Sequence, residues 1–388
     1  MSETQIKSGP DIKTILTQKG LEGDDGKWQK TLSQITSRDV EKALSAQQAR
    51  YSTERILALI SPAAENYLEK MAQIARNLTI QRFGKTIRLY APLYLSNFCE
   101  NSCLYCGFNK NNPTERRRLT IEQAVAEADC IASEGFTDIL LVSSEDREFI
   151  TVDYLCALAK KLREKFSSIS IEIYPLALGE YRQLFSAGIE AVTLYQETYN
   201  RKIYAHFHPA GPKSDYDYRL DTPDRFAQAG MRQIGIGALL GLYDFRLETI
   251  ALAEHANYLM KRYWQSQISF SFPRLRPAQN VNAVQFRHLL GDKNLVQMIT
   301  ALRICFPDAG LVLSTRERAE IRDNLLKLGI TKISAGSKTS PGGYSSPCES
   351  LRQFEIDDKR TPAQIAQMLN ENGLQPVWKD WDRGFLSD

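Results

Sequence analysis

The stretch "PLYLSNFCENSCLYCGF", residues 92–108, places Cys99, Cys103 and Cys106 within eight residues, directly after an apolar run. That run, "IRLYAPLYL" (87–95), is rich in β-branched and aromatic residues, which is typical of a buried strand. A loop that follows a strand can wrap around one metal ion or cluster. The spacing C-x-x-x-C-x-x-C therefore predicts a thiolate metal centre at the carboxyl end of a strand.

The kind of metal centre depends on the ligands that are available. A closed zinc site usually needs a fourth Cys or His, and none of the four histidines lies near the cysteines; they are His206, His208, His255 and His288. Three thiolates suit a [4Fe–4S] cluster in which one iron has no protein ligand. Three ordinary buried cysteines, or a partial zinc site, are the alternatives.

Strand-like runs alternate with amphipathic stretches from residue 87 onward. The seven further strand candidates are residues 138–144, 170–175, 191–196, 233–239, 268–273, 310–315 and 332–336. Alternating strands and helices indicate a parallel sheet. Eight strands over roughly 250 residues predict an α/β fold, a closed (βα)8 TIM-type barrel. A doubly wound open sheet is the alternative.

The rest of the chain divides into three parts around a barrel at residues 85–340. The polar composition of residues 1–36 predicts a tail. The spacing of apolar residues in 37–84 predicts a helical extension that begins at an N-cap, Ser37. Residues 341–388 form a closing segment with one helix, which we expect Thr361 to cap and Gly373 to end. The terminal "LQPVWKDWDRGF" is expected to cover one end of the barrel.

Composition narrows the class of protein. The 388 residues are 43% hydrophobic and 24% charged, with a formal net charge of +3. These values are ordinary for a globular protein and indicate neither a nucleic-acid nor a membrane partner. The first residues lack the apolar core of a signal peptide. We therefore expect a cytoplasmic protein, where cysteines stay reduced.

At "CENSCLYCGF" the sequence resembles the signature of the radical S-adenosylmethionine (SAM) superfamily. The resemblance implies that SAM chelates the open iron through its amino and carboxylate groups. One electron from the cluster then cleaves a C–S bond and gives methionine and a 5′-deoxyadenosyl radical. It also implies that Tyr105, the aromatic residue before the last cysteine, contacts the adenine.

Further cofactor contacts are implied at the ends of the second and fourth strands. Glu145, in "LLVSSE", would hold the methionine amino group, although Ser143 and Ser144 replace the usual small glycine pair. Gln196 and Glu197, in "YQETY", would face the mouth of the barrel and contact the ribose or methionine part. The structural alternatives are a solvated loop acid and a cap of the next helix.

Glycines and arginines follow the later strands. Gly235 and Gly237 would let the backbone approach the adenine, because a side chain would block it. Arg274, Arg276 and Arg316 are predicted cations at the mouth. A guanidinium grips a carboxylate with two hydrogen bonds, which suggests an amino-acid substrate. We expect Arg274 on the cofactor side and Arg316 on the substrate; salt bridges to neighbouring acids are the alternative.

From about Ser37 to its end the chain resembles the aromatic amino acid lyase branch of the superfamily, and within it the tyrosine lyases of thiamine biosynthesis. The resemblance rests on "SPAAENYLEKMAQIA", "LYQETYN", "SFPRLRP", "STRE", "SKTSPGGY" and "GLQPVWKDWD". It implies hydrogen abstraction from the tyrosine amino group and cleavage of Cα–Cβ, giving p-cresol and 2-iminoacetate. Implied partners are a thiazole synthase and a one-electron donor such as flavodoxin or ferredoxin.

Within that reaction we expect Arg316 to clamp the tyrosine carboxylate, with hydrogen bonds from Ser314 and Ser337. A tryptophan lyase is one alternative. A second is the tyrosine lyase of hydrogenase maturation, which carries an extra cysteine-rich C-terminal segment; here 40 residues follow Cys348 without another cysteine. A non-catalytic iron–sulfur or zinc scaffold protein is the distant alternative.

Overall fold

Eight parallel strands close into a barrel, because β1 pairs with β8 on one side and with β2 on the other. The computed structural model describes residues 9–23, 26–46, 51–282, 285–346 and 351–378. The strands are β1 (Thr86–Ser96), β2 (Asp138–Ser143), β3 (Ser168–Glu172), β4 (Ala191–Glu197), β5 (Gln233–Ala238), β6 (Gln267–Ser271), β7 (Gly310–Leu313), β8 (Lys332–Ser334) and β9 (Gln375–Val377). The (βα)8 barrel is confirmed, and all eight predicted strands are present.

Helices surround the barrel and extend it on the amino-terminal side. They are α1 (Ile12–Lys19), α2 (Lys27–Gln34), α3 (Ser37–Ser45), α4 (Thr53–Ile60), α5 (Leu68–Phe83), α6 (Ile121–Ser133), α7 (Val152–Leu162), α8 (Leu178–Ser186), α9 (Arg201–Phe207), α10 (Tyr216–Leu220), α11 (Thr222–Gln228), α12 (Phe245–Arg262), α13 (Asp292–Cys305), α14 (Ala319–Leu326) and α15 (Pro362–Glu371). Short 3-10 helices cover Pro62–Tyr67 and Pro212–Ser214. No helix in the described ranges is long and apolar enough to cross a bilayer.

The polar N-terminal segment is more ordered than its composition predicted. Instead of a tail, it forms α1 and α2, and α1 buries Ile12 and Leu16 completely. Helix α1 packs on α12 and is tied there by an ion pair of 2.5 Å between Lys19 and Glu254. Two apolar residues one helical turn apart are enough to attach this short helix to the core.

The helical extension begins one residue earlier than predicted. Thr36, rather than Ser37, caps α3, because its hydroxyl accepts from the backbone N–H of Asp39 while the Asp39 carboxylate accepts from the Thr36 N–H. This reciprocal pair is a capping box. The acid three residues later therefore decides which of two neighbouring hydroxyl residues caps the helix.

The C-terminal segment reaches the amino-terminal end of the barrel. Strand β9, which was not predicted, pairs in parallel with residues 86–88 of β1, whereas β2 pairs with β1 only from Ala91 onward. The Trp378 ring packs against Phe136 with centroids 5.1 Å apart. The predicted helix is present as α15, with Thr361 as its cap and Gly373 just beyond its end at φ 68°. Trp381 and Cys348 lie outside the described residues.

Candidate active site

The three clustered cysteines line one pocket at the carboxyl ends of the strands. Burial and the neighbouring thiols raise the pKa of the Cys103 thiol to about 12, and they also raise the pKa of Cys106. The described residues contain no set of three Cys, His, Asp or Glu side chains already gathered at metal-ligand distance. The three thiols share one pocket, and a bound metal would require them to be deprotonated.

Hydrogen bonds fix the loop that carries these cysteines. The Asn101 amide donates to the Glu145 carboxylate at 2.7 Å and lies 3.7 Å from the Cys99 sulfur. The Ser144 hydroxyl donates to the carbonyl oxygens of Phe98 and Ser96. A glycine could not make these bonds, so the serine that replaces it joins the end of β2 to the cysteine loop.

The C-terminal segment supplies a second support for the loop. The Gln353 amide lies 3.8 Å from the Cys106 sulfur, and its carbonyl oxygen accepts from the Tyr94 hydroxyl at 2.9 Å. Gln353 was missed in the sequence, because it lies nearly 250 residues from Cys106 and outside any strand-end pattern.

Glu145 lies in the pocket, as predicted, but it already has partners. The carboxylate is buried and accepts from Arg147 at 2.7 Å as well as from Asn101. Arg147 is 37% exposed, so this ion pair faces solvent on one side. The expected contact between Glu145 and the amino group of SAM remains a prediction.

The Tyr105 ring also lines the pocket, where it was expected to contact the adenine. Its hydroxyl forms a hydrogen bond with Nε2 of His208 at 2.9 Å. Burial lowers the pKa of His208 to about 3, so the imidazole is neutral at neutral pH. A neutral histidine thus fixes the orientation of the ring.

Glu197 lines the pocket at a bulge in β4. The pairing with β5 shifts register between Tyr195 and Glu197, and Glu197 has φ 71°, in the left-handed region. Its carboxylate accepts from Lys213 at 2.6 Å and from Arg219 at 3.2 Å. Burial alone would raise the pKa of Glu197, but the two cations outweigh it and hold that pKa below its usual value.

The structure does not place Gln196 with its neighbour. Gln196 is buried and does not belong to the described lining of the pocket. Its amide nitrogen has no hydrogen-bond partner among the residues that the structure describes. Successive side chains of a strand point to opposite faces, so Glu197 and its neighbour Gln196 cannot both face the pocket.

The two glycines of β5 also lie away from the described lining of the cysteine pocket. A Cβ on Gly235 would collide with the Thr193 hydroxyl, and a Cβ on Gly237 would lie 2.8 Å from the carbonyl oxygen of Ser271. Close packing between neighbouring strands therefore accounts for both glycines. The structure gives no support to their predicted role as adenine contacts.

The three arginines differ in their partners. Arg274 donates to the Glu317 carboxylate from Nε and Nη2, and to Asp292 from Nη1 at 2.7 Å, so its guanidinium is occupied by ion pairs; its predicted cofactor contact remains a prediction. Arg276 lines the pocket and pairs with Asp357.

Arg316 forms no ion pair with any described residue. Its guanidinium carbon lies 3.5 Å from the centroid of the Phe354 ring. The same side chain lines both the cysteine pocket and an adjoining cavity inside the mouth of the barrel. Of the three predicted cations, Arg316 is thus the one available to a carboxylate.

Ser314 and Ser337 line this inner cavity beside Arg316, as predicted. The Ser314 hydroxyl oxygen accepts weakly from the Arg316 backbone N–H at 3.4 Å. The Ser337 hydroxyl is buried and has no hydrogen-bond partner within the described part of the chain. A buried polar group without a partner is costly, so Ser337 is poised to bond a ligand.

The inner cavity also contains residues that the sequence did not single out. Tyr90, Tyr94 and Tyr195 form part of its wall, and Glu172 lies among them as the last residue of β3. Burial raises the pKa of Glu172 to about 6, although Arg316 works in the opposite direction. The sequence signal that could have identified Glu172 is the presence of an acid inside the apolar run "SIEIYP".

Comparisons with known proteins agree with this architecture. Residues 93–253 match the radical SAM superfamily, and residues 271–375 match the Biotin and Thiamin Synthesis associated domain. The barrel and its cysteine loop are thus those of a radical SAM enzyme, a class that uses a [4Fe–4S] cluster and SAM.

Closer relatives define the family. The 2-iminoacetate synthase of Salmonella typhimurium is 46% identical over 89% of this chain and 91% of that protein, and that of Escherichia coli is 45% identical over the same shares. The hydrogenase maturase HydG of Carboxydothermus hydrogenoformans superimposes with a TM-score of 0.83 at 33% identity, over 96% of this chain and 86% of that one. This chain belongs to the 2-iminoacetate synthase family.

Proposed function

We propose that the protein is a radical SAM lyase that cleaves the Cα–Cβ bond of L-tyrosine. The products are 2-iminoacetate (dehydroglycine) and p-cresol, with methionine and 5′-deoxyadenosine formed from SAM, and the imine serves thiazole synthesis in thiamine biosynthesis. The observation that carries the proposal is Arg316, a cation without an ion-pair partner among the described residues, in a cavity that adjoins the cysteine pocket.

The cysteine pocket fits the cofactors of the class. Cys99, Cys103 and Cys106 would hold the cluster through their sulfur atoms, because cysteine thiolates are the usual protein ligands of a [4Fe–4S] cluster. When bound, the cluster and SAM supply one-electron cleavage of a C–S bond and a carbon radical that takes a hydrogen atom. Tyr105 and Glu145, on the same wall, would orient SAM.

The chain's own task is to position tyrosine. Arg316 can bind the carboxylate through two parallel N–H bonds, which fixes both position and orientation. The Ser337 hydroxyl can complete its hydrogen bonding on the same group. The tyrosine side chains of the cavity wall would exclude water around the substrate. The contacts to the carboxylate would hold the reacting nitrogen in one geometry.

Two partners follow from this reaction. The imine hydrolyses in water, so we propose direct transfer to a thiazole synthase. The reaction also consumes one electron for each SAM cleaved, which a flavodoxin or ferredoxin would supply. Both partners, and the location in the cytoplasm, are expectations from the family resemblance.

The decisive experiment is anaerobic reconstitution followed by product analysis. The protein, loaded with iron and sulfide, is incubated with SAM, dithionite and either tyrosine or tryptophan, and the aromatic product is identified by mass spectrometry. We expect p-cresol from tyrosine, in amounts that follow 5′-deoxyadenosine. An indole product from tryptophan alone would assign the tryptophan lyase, and enzymatic carbon monoxide or cyanide would assign the hydrogenase-maturation relative.

A further inference from the structure

Glu172 occupies the junction of three cavities. Its side chain lines the cysteine pocket, the inner cavity beside Arg316, and a third cavity in the lower half of the barrel. Because β3 ends at this residue, a partly buried carboxyl group is held on a rigid element at the level of the mouth.

The carboxyl group has little to bind within the protein. Its one hydrogen bond to a described residue comes from the Tyr195 hydroxyl at 3.2 Å. It forms no ion pair within the described ranges, although the cations Arg316 and Lys213 and the anion Glu197 act on it from farther away. A partly buried carboxylate whose one described partner is a weak hydrogen bond is incompletely satisfied, so a ligand that enters the cavity can complete its surroundings.

Arg316 faces the same cavity as Glu172 and is also without an ion pair to any described residue. One cavity therefore presents a cation and an anion that are each available. An amino acid carries a carboxylate and an ammonium group on one carbon atom, so it matches such a pair of opposite charges.

We propose that Glu172 binds the α-ammonium group of the substrate and accepts one proton from it. The proposal rests on the function proposed above and adds a residue for the amino end of tyrosine. The proton transfer converts R–NH3⁺ and the Glu172 carboxylate into R–NH2 and a carboxylic acid, and no electron moves in this step. The neutral amine that results is the form from which a hydrogen atom can be taken at nitrogen.

The electrostatics of the site support a proton acceptor at this position. Burial raises the pKa of Glu172 to about 6, and Arg316, Tyr195 and Lys213 limit that rise while Glu197 adds to it. Tyr90 and Tyr94, on strand β1 across the barrel, stay protonated because burial raises the pKa of both. A carboxylate with a raised pKa accepts a proton more readily than an ordinary one.

A substrate-side comparison tests the proposal by binding rather than by turnover. Dissociation constants for tyrosine and for its desamino analogue, 3-(4-hydroxyphenyl)propionate, are measured with reconstituted protein and SAM, for the wild type and for Glu172→Gln. We expect Glu172→Gln to weaken tyrosine binding about ten- to a hundredfold and to leave binding of the desamino analogue unchanged. Equal losses for both ligands would overturn the proposal.

The matched control is Glu190→Gln. Glu190 is a buried glutamate whose pKa is also raised, but it precedes β4 at the opposite end of the barrel and is not in the described lining of the cysteine pocket or the inner cavity. We expect it to keep wild-type preference for tyrosine over the analogue. If Glu172→Gln fails to fold, Glu172→Asp keeps the charge on a shorter side chain. It should weaken tyrosine binding and leave binding of the desamino analogue unchanged, and equal losses for both ligands in folded Glu172→Asp would overturn the proposal.

The pH dependence of kcat/KM gives a second readout. Glu172 loses its charge as the pH falls through its pKa, so wild-type kcat/KM should decline on the acid side of about pH 6. The residual kcat/KM of Glu172→Gln should lack this decline, and an unchanged acid limb would contradict the assignment. Absence of p-cresol from the wild type would instead overturn the proposed function, so the two failures are distinguishable.

Discussion

The guanidinium carbon of Arg316 lies over the ring of Phe354, 3.5 Å from the ring centroid, in a cavity where no described acid pairs with it. Contact with an aromatic face restricts where the guanidinium can lie, and its one described hydrogen bond is a long one of 3.5 Å from Nη1 to the carbonyl oxygen of Arg274. A residue from the C-terminal segment thus orients the cation that follows β7. The proposed clamp for a substrate carboxylate therefore depends on two distant parts of the chain.

Replacement of Arg316 by lysine tests this clamp. Arg316→Lys keeps the charge but loses both the paired N–H groups and the stacking. We expect kcat/KM for tyrosine to fall about ten- to a hundredfold, while the iron content and SAM binding stay at wild-type levels. More 5′-deoxyadenosine should form for each p-cresol. Arg318→Lys, at an exposed position two residues away, is the control and should behave as wild type. Unchanged tyrosine use by Arg316→Lys would remove it from the substrate site.

The cysteines of the pocket should differ from those in helices. We expect Cys99→Ala, Cys103→Ala and Cys106→Ala each to abolish p-cresol formation and to lower the iron content below the four atoms of one cube. Cys130→Ala and Cys156→Ala, in α6 and α7, should keep both. Cys305→Ala should also cleave SAM, but with a lower melting temperature because that thiol is fully packed in the core. Iron analysis and absorbance near 400 nm provide the measurement.

Gly235 in β5 offers a test that separates a role in strand packing from a role in cofactor binding. Gly235→Ala would place a methyl group against the Thr193 hydroxyl, so we expect a loss of about 1–3 kcal/mol in the free energy of unfolding. The double variant Gly235→Ala/Thr193→Ala should recover most of that loss in urea denaturation, and SAM binding should match the wild type. Weak SAM binding in a double variant of normal stability would restore the predicted adenine contact.

A buried ion pair should hold the C-terminal segment in place. The side chains of Arg322 and Asp358 are 1% and 0% exposed and form a direct contact, and Asp358 also accepts from Arg360 at 2.7 Å. Asp358→Ala leaves Arg322 buried without its partner, so we expect a loss of about 3–5 kcal/mol in the free energy of unfolding. Asp323→Ala, which removes only the more exposed partner of Arg360, should cost about 1 kcal/mol or less.

The same pair has a defined pH dependence. Burial works to raise the pKa of Asp358, but Arg360 and Arg322 outweigh it and hold the pKa below the ordinary value of 3.8. A depressed pKa in the folded state means that the contribution is complete above that ordinary value and declines as the pH falls. The stability difference between wild type and Asp358→Ala should therefore shrink below about pH 4 in urea denaturation. A constant difference down to pH 2 would contradict this.

The strands could be predicted because their signal is local. Each of the eight runs carries its own β-branched and aromatic residues, and the cysteine loop directly follows the first of them. Strand β9 has only three residues and exists because β1 offers an unpaired edge before Ala91. No local pattern records that edge. Helix α1 was missed for a similar reason, since Ile12 and Leu16 have meaning only beside α12.

The candidate site was only partly visible in the sequence for the same physical reason. Arg274, Arg276 and Arg316 look alike in sequence, and what separates them is the position of Glu317, Asp292 and Asp357. Asp292 begins α13, Glu317 follows β7, and Asp357 lies in the C-terminal segment. The sequence could therefore indicate a cationic mouth, but not which cation stays available.

The C-terminal segment also affects the order in which the molecule can be completed. Translation produces β1 to β8 and all three pocket cysteines before residues 351–378, which supply Gln353, Phe354 and β9. A nascent chain that has formed the barrel thus lacks these residues at both the mouth and the amino-terminal end of the barrel. The complete chain differs from that nascent chain by the C-terminal segment, which contacts both ends of the barrel. Delivery of iron and sulfide before that segment folds would meet the least obstruction.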